Sequence, residues 1–142
     1  MARKRVIGSQ KTLCRGKALM LRVLPLRFAV CRLLSGEMVP GWLYGLSFWA
    51  ATRTDDELSV VLPEENVPAD WLAERGWRCL KVQGPLDFGL TGVLASLTVP
   101  LAGAGIPIFA ISTYDTDYFL VHDADLSRAI EALSLHGHLV EE

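Results

Sequence analysis

Two short segments in the second half of the sequence carry residue types that could bind a small charged molecule. The first is residues 84–93, GPLDFGLTGV, whose glycines would let a ligand approach the backbone. Its last part, residues 90–93, is expected to begin a helix, and the first N–H groups of a helix can hold a carboxylate. The alternative is that Gly89 and Gly92 only permit a tight turn and close helix–sheet packing.

The second segment is residues 112–117, STYDTD, which places hydroxyl groups and two carboxylates within a short stretch. Carboxylates accept hydrogen bonds from ammonium and guanidinium groups. With the second segment beside this helix start, the two segments together predict a site for a zwitterion. Its carboxylate would lie at the amides and its ammonium at Asp115 or Asp117. The alternative is a polar hairpin turn, which Asp and Thr favour in any case.

The remaining candidate residues predict neither a metal site nor catalysis. Asp115 and Asp117 lack a third oxygen ligand at a suitable spacing. His136 and His138 could bind a transition metal, but a surface helix end is the favoured interpretation, and His122 is expected to be structural. No P-loop, GxSxG or HExxH motif occurs. We therefore expect a protein that is not an enzyme and uses no cofactor, with a small amino-acid-modifying enzyme as the least favoured alternative.

The elements around the two segments follow from hydrophobic spacing. A helix is predicted over residues 90–101, where Pro100 should kink it or end its regular part. The predicted core face of that helix is Leu90, Val93, Leu94, Leu97 and Leu101. IPIFAIS and YFLVH are predicted strands, and a second helix, capped by Asp123 or Asp125, ends at Gly137 before a short strand, HLV. The core face of this second helix should be Leu126, Ala129, Ile130 and Leu133.

The first half of the sequence predicts mostly strands. Residues 19–34 are apolar and extended, FWAATRT and ELSVVLP form a hairpin, and WRCLKV is a further strand. A helix is predicted from Pro68 to Gly76, since Pro suits a first turn and Gly a helix end. Residues 36–46 leave room for only about one helical turn.

A weak internal repeat relates the two halves. AATRTDDELSVV, from Ala50, aligns with AISTYDTDYFLV, from Ala110, at an offset of 60. Each copy predicts a ferredoxin-like βαββαβ unit, an α+β fold with antiparallel sheets and helices on one face. The first unit has a shortened helix, and it could be completed by WRCLKV or by the N-terminal strand. We place the units at residues 18–76 and 77–142.

Charge and cysteine content narrow the class of protein. Nine of 14 Lys and Arg residues precede Ser35, and all 16 acidic residues follow it. Residues 1–17 are expected to be a disordered basic tail or an extension before a start at Met20, and the acidic body argues against nucleic-acid binding. No apolar run is long enough for a spanning helix, so no membrane association is expected. Three cysteines without a CxxC pair predict free thiols and a cytoplasmic location.

Residues 19–140 resemble the ACT-domain proteins related to the CASTOR arginine sensors and to the regulatory domains of aspartate kinases. GPLDFGLTG and ISTYDTDYFLV carry the specific part of this resemblance, and LPLRFAVCRL, FWAATRTDDELSVV and GWRCLKVQ extend it. The resemblance implies paired ACT units, often dimerised, with an amino-acid site in which Asp117 holds a cationic group. The positions that match that site are Asp87, Leu90, Thr91, Gly92, Val93, Thr113, Tyr114, Thr116 and Asp117.

Together these observations predict a regulatory module that binds an amino acid without transforming it and forms a homodimer. The alternative is a structural domain for dimerisation or for an unknown protein partner, which has lost ligand binding. The identity of the amino acid is left open, because the arginine sensors carry two pairs of ACT units where this sequence has one.

Overall fold

The computed structural model describes residues 18–86 and 91–142, which form two compact units. The smaller unit comprises residues 25–78, and the larger unit comprises the described residues of 18–24 and 79–142. The chain passes between them within two strands, β1 (Met20–Leu33) and β4 (Leu72–Val82). Residues 18–24 are therefore part of the unit that the C-terminal half builds.

The smaller unit is a four-stranded sheet with one short helix. Strands β2 (Ala50–Arg53) and β3 (Leu58–Pro63) form the predicted hairpin, and the strand order is β2-β3-β1-β4. A 3-10 helix at Gly41–Gly45 stands where the larger unit has a full helix, which confirms the shortened helix. The buried core is Ala29, Cys31, Leu43, Leu58, Val60 and Leu62.

The helix predicted from Pro68 to Gly76 is wrong. Residues 72–82 form strand β4, which runs through Gly76. The Gly76 N–H donates to the Glu64 carboxylate at 2.7 Å, and the backbone of Gly76 has a φ of 80°, so this glycine serves a bend within the strand rather than a helix end. Pairing in the sheet outweighs the helix propensity of Ala73, Glu74 and Arg75.

The larger unit has the predicted ferredoxin-like order. Its elements after β4 are α1 (Val93–Gly103), β5 (Phe109–Ser112), β6 (Asp117–His122), α2 (Leu126–Leu135) and β7 (Leu139–Glu141). The strand order is β7-β1-β4-β6-β5, and β7 runs parallel to the beginning of β1. Alternate residues of three strands pack with both helices, which places the helices on one face of the sheet. The buried residues of this face are Leu21, Val23, Leu80, Val82, Leu97, Leu101, Ile106, Phe119, Val121, Ala129 and Leu133.

Helix α1 differs from its prediction in two respects. Leu97 and Leu101 are buried as predicted, but Leu94 is exposed, and the buried face also includes Ser96 and Pro100. The helix begins after Gly92 and ends at Gly103. It therefore continues past Pro100 instead of ending at that residue. For α2 the predicted core face is confirmed, while Asp125 makes no side-chain cap at its start.

The structural repeat differs by one residue from the sequence repeat. Ala50 pairs with Val61 and Phe109 pairs with Leu120, so equivalent positions lie 59 residues apart rather than 60. The same shift relates the 3-10 helices Glu64–Asn66 and Asp123–Asp125 that follow each hairpin. Strand pairing fixes the register more strictly than a few matching residues can.

Candidate functional site

The two predicted segments meet in the larger unit. The N–H of Leu86 donates to the carbonyl oxygen of Asp115 at 2.6 Å. A Cβ atom at Gly84 would lie 3.0 Å from that same carbonyl oxygen and 3.1 Å from the Cβ of Thr116. Gly84 is therefore needed because a larger residue would not allow this close approach of the two backbones.

Thr116 fixes the turn between β5 and β6 against the end of β4. Its side chain is buried, and its Oγ1 donates to the carbonyl oxygen of Val82 at 2.7 Å. Thr113 closes the turn from within, because its Oγ1 accepts from the Thr116 N–H at 3.2 Å and its own N–H donates to the Thr116 carbonyl at 2.8 Å. Both threonines of the predicted site therefore shape the turn.

The two carboxylates at this turn have different surroundings. Asp115 is exposed at the tip, whereas Asp117 is half-buried at the first position of β6, opposite Ser112. Side chains alternate along a strand, so Asp117 lies on the same face as Phe119 and Val121, which pack with the helices. Asp117 is thus directed toward the helix side of the sheet, and Tyr114 is exposed.

The start of α1 presents the backbone amides that are predicted to bind a carboxylate. Gly92 precedes the helix with a φ of 78°, a left-handed conformation that favours glycine. The Ser96 N–H donates to the Gly92 carbonyl at 2.9 Å and closes the first turn. The N–H groups of the first turn have no partner within a helix, so they can bind an anion. Thr91 is exposed and Val93 half-buried, while Asp87 and Leu90 lie outside the described residues.

A buried histidine next to α1 was not predicted. His138 is only 3% exposed, so the expectation that it lies at a surface helix end is wrong, although His136 is exposed. The Nδ1 atom of His138 accepts from the Leu19 N–H at 3.1 Å, and its Nε2 lies 3.0 Å from the carbonyl oxygen of Ser96. One signal could have revealed this residue: Pro100 has no N–H to offer the carbonyl four residues earlier in the helix, which is that of Ser96.

Thiols and metal ligands contribute no further centre in the described part of the chain. Cys31 and Cys79 are buried free thiols, as predicted. Burial raises the pKa of Cys79 to about 12 and also raises the pKa of Cys31, which the positive charge of Arg75 lowers only in part. Both are neutral thiols and poor nucleophiles near pH 7. No cluster of three metal-ligating side chains occurs among residues 18–86 and 91–142.

The smaller unit carries a surface cavity of about 260 Å³. Charged and apolar residues line it: Pro25, Leu26, Arg27, Pro63, Glu64 and Glu65. The Glu64 carboxylate is already used in a hydrogen bond from the Gly76 N–H. None of the residues predicted to bind a ligand lies in this cavity. Neither α-helix in the described ranges has the length and apolar character required to cross a membrane.

Comparison with known proteins identifies relatives of both halves. A family model described as an ACT domain matches residues 72–134, and a second model, for an N-terminal domain, matches residues 27–70. The chain is 38% identical to protein Atu0741 of Agrobacterium tumefaciens, whose crystal structure superposes with a TM-score of 0.83 over 88% of this chain and 93% of that one.

Two further matches are a sequence relative and a protein that shares only the fold. The cytosolic arginine sensor for mTORC1 subunit 1 of Bos taurus is 32% identical over 106 residues, which cover 67% of this chain and 32% of the sensor. The chain therefore spans about a third of the length of that relative. The regulatory subunit of aspartate kinase from Thermus flavus shares the fold, with a TM-score of 0.61 at 10% identity over 84% of this chain and 99% of that subunit. Residues 72–134 belong to the ACT-domain family, and the chain is related to the cytosolic arginine sensors.

Proposed function

We propose that this protein binds a free amino acid in the larger unit and acts as a regulatory module without catalysing a reaction. The proposed site lies between the start of α1 and the turn of residues 113–117. One observation carries the proposal: the loop that leads into α1 is hydrogen-bonded to that turn, through the Leu86 N–H and the Asp115 carbonyl. Anion-binding amides and two carboxylates are thereby held in one unit.

The chemistry of the proposed site suits a zwitterion. The α-carboxylate of the ligand accepts hydrogen bonds from the first-turn amides of α1, where the helix dipole also favours negative charge. The ammonium group, or a cationic side chain, pairs with Asp117, with Asp115 as a second acceptor. Thr91, Gly92 and Val93 border the carboxylate end. Asp87 and Leu90, which lie outside the described residues, remain proposed ligand residues because the resemblance to the arginine sensors matches them to that site.

The regulatory role rests on the family. The relatives from mammals are named as arginine sensors, which supports an amino acid as ligand class and a cytoplasmic location for this protein. The buried, neutral Cys31 and Cys79 suit a reducing compartment. Binding of the amino acid would favour one arrangement of units or subunits over another. The functional form of the protein is proposed to be a homodimer.

Calorimetry with each of the twenty amino acids provides the test. We expect at least one to release or absorb heat with wild-type protein, and Asp117→Asn to weaken that binding at least tenfold, since a charged hydrogen bond contributes about 1.5–3 kcal/mol. Glu57→Gln is the matched control, because Glu57 is a carboxylate within the equivalent turn of the smaller unit, directly before β3. This control should bind as tightly as wild type.

Two outcomes would overturn the proposal. One is the absence of heat with all twenty amino acids while the protein is folded. The other is binding that Glu57→Gln weakens and Asp117→Asn does not. A stable complex with a protein partner that ignores amino acids would instead support a purely structural interaction domain.

A further inference from the structure

Pro100 leaves a carbonyl group of α1 without its usual partner. In an α-helix each carbonyl accepts from the N–H four residues later, and for Ser96 that residue is Pro100. The Ser96 carbonyl is directed into the protein, where the Nε2 atom of His138 lies 3.0 Å away. An unpaired buried carbonyl is destabilising, and His138 replaces the hydrogen bond that the proline removes.

The position of His138 is unusual for a histidine. Both helices of the larger unit end in the same Schellman motif, with a left-handed glycine followed by a buried residue whose N–H reaches back into the last turn. After Gly105 the buried residue is Ile106, which meets the apolar preference of this position. After Gly137 it is His138, whose burial requires that both ring nitrogens find partners.

The two hydrogen bonds define the protonation state of the ring. The Leu19 N–H can only donate, so Nδ1 must accept and carry no proton. The Ser96 carbonyl can only accept, so Nε2 must carry the proton. The geometry therefore requires a neutral imidazole with its proton on Nε2. A second proton on Nδ1 would face the Leu19 N–H and break that hydrogen bond.

We propose that His138 is a positioning residue for the amino-acid site and that it makes ligand binding sensitive to acid. This inference rests on the proposed function. His138 holds the Ser96 carbonyl, Ser96 closes the first turn of α1 on Gly92, and its Oγ donates to the Val93 carbonyl at 2.8 Å. The imidazole therefore contacts Ser96, which directly follows the first-turn amides that receive the ligand carboxylate.

The same imidazole connects that turn to the sheet. Leu19 donates to Nδ1 and accepts from the Leu139 N–H at 2.9 Å, so the beginning of β1 and β7 are joined to α1 through one ring. Protonation keeps the bond to Ser96 and removes the bond to Leu19. The first turn of α1 then loses this hydrogen-bonded link to β1, and ligand affinity falls as the pH falls.

In the described ranges, few charges on the elements around His138 could produce the same pH dependence. Helix α1 contains no titratable residue. On the neighbouring elements the charged side chains are exposed: Arg22 on β1, Arg128 and Glu131 on α2, and Glu141 on β7. His136, at the end of α2, is also exposed, and its Nδ1 lies 3.0 Å from the Ala132 carbonyl. His136 therefore provides the matched control.

Nitrogen-15 NMR of histidine-labelled protein tests the protonation state directly. At pH 7.5 we expect His138 to show a protonated Nε2 and an unprotonated Nδ1. A proton on Nδ1 at this pH would overturn the inference. This measurement needs no ligand, so it gives an answer even if none of the twenty amino acids binds and the proposed function fails.

Calorimetry between pH 7.5 and 5.5 then tests the positioning role, with the amino acid that binds most tightly (histidine excluded, because it titrates in this range). We expect wild-type affinity to fall as the NMR signal of His138 reports protonation. His138→Gln should bind about 3- to 10-fold more weakly at pH 7.5 and show a flatter pH profile. His136→Gln should match wild type at every pH.

The binding data would contradict the inference in either of two ways. His138→Gln could keep both the wild-type affinity and the wild-type pH profile. Alternatively, wild-type affinity could stay constant while the NMR signal reports full protonation of His138, and this second comparison remains available if the glutamine variant fails to fold.

Discussion

The hairpin turns of the two units share the same internal hydrogen bond, but different groups donate to their aspartate carbonyls. In each, a threonine N–H donates to the carbonyl three residues later, at 2.9 Å from Thr54 and 2.8 Å from Thr113. The aspartate carbonyl that follows each threonine by two residues also accepts a hydrogen bond. At Asp56 the donor is the exposed side chain of Arg32, and at Asp115 it is the Leu86 N–H.

This difference explains why only one turn is a candidate ligand site. In the smaller unit the Arg32 guanidinium lies at the turn, 4.0 Å from the Glu57 carboxylate, so a cationic group already occupies that side. In the larger unit the corresponding donor is a backbone amide without charge, on the loop that leads into α1. In the proposed site, the carboxylates of Asp115 and Asp117 would bind the cationic group of the ligand.

Replacing Gly84 should produce the largest change in stability. A methyl group there would approach the Asp115 carbonyl and the Thr116 Cβ to about 3.0 Å and 3.1 Å. We expect Gly84→Ala to lower the free energy of unfolding by about 1–3 kcal/mol, the usual cost of overpacking. Urea unfolding measures this, with Gly41→Ala as control because a Cβ there meets nothing within 4 Å. Equal stabilities of the two variants would show that the loop and turn are not in close contact.

Replacing Thr116 should have the next largest effect. Thr116→Val keeps the shape of the side chain and removes the hydroxyl that bonds the buried Val82 carbonyl. The free energy of unfolding should fall by roughly 1–2 kcal/mol, because the carbonyl loses a partner without regaining water. Its structural equivalent in the smaller unit, Glu57, is more exposed, so Glu57→Gln should change stability by less than about 0.5 kcal/mol. The comparison fails if Glu57→Gln proves as destabilising as Thr116→Val.

Replacing Arg32 should have the smallest effect on stability. Its ion pair with Glu57 is about half exposed on both sides, and such pairs contribute about 0–1 kcal/mol. Arg32→Ala should therefore unfold in urea close to wild type and leave amino-acid affinity unchanged. A gain of a second binding site in calorimetry would instead show that Arg32 blocks the turn of the smaller unit.

Much of the fold follows from local sequence signals. The hairpins, the end of α2 at Gly137 and the apolar face of α2 were all predictable, since turn residues and 3.6-residue spacing act over short distances. The strand at residues 72–76 was not, because its helix-forming residues are held extended by neighbouring strands. The one-residue register shift between the repeats likewise depends on strand pairing.

For the candidate site, the sequence predicted the two segments but not the groups that fix them. The contact between Gly84 and the turn, and the bond from Thr116 to Val82, join residues more than 30 positions apart. His138 lies 42 residues from Ser96, so its role depends on a tertiary contact that no motif specifies. Pro100 indicated that α1 needed an outside donor, without identifying which residue provides it.

A crystal structure with the most tightly bound of the twenty amino acids tests the central claim most directly. We predict density for the ligand in the larger unit, with its carboxylate at the amides after Gly92 and its cationic group at Asp117. Density in the cavity of the smaller unit beside Arg27 and Glu64, with the start of α1 empty, would contradict this account.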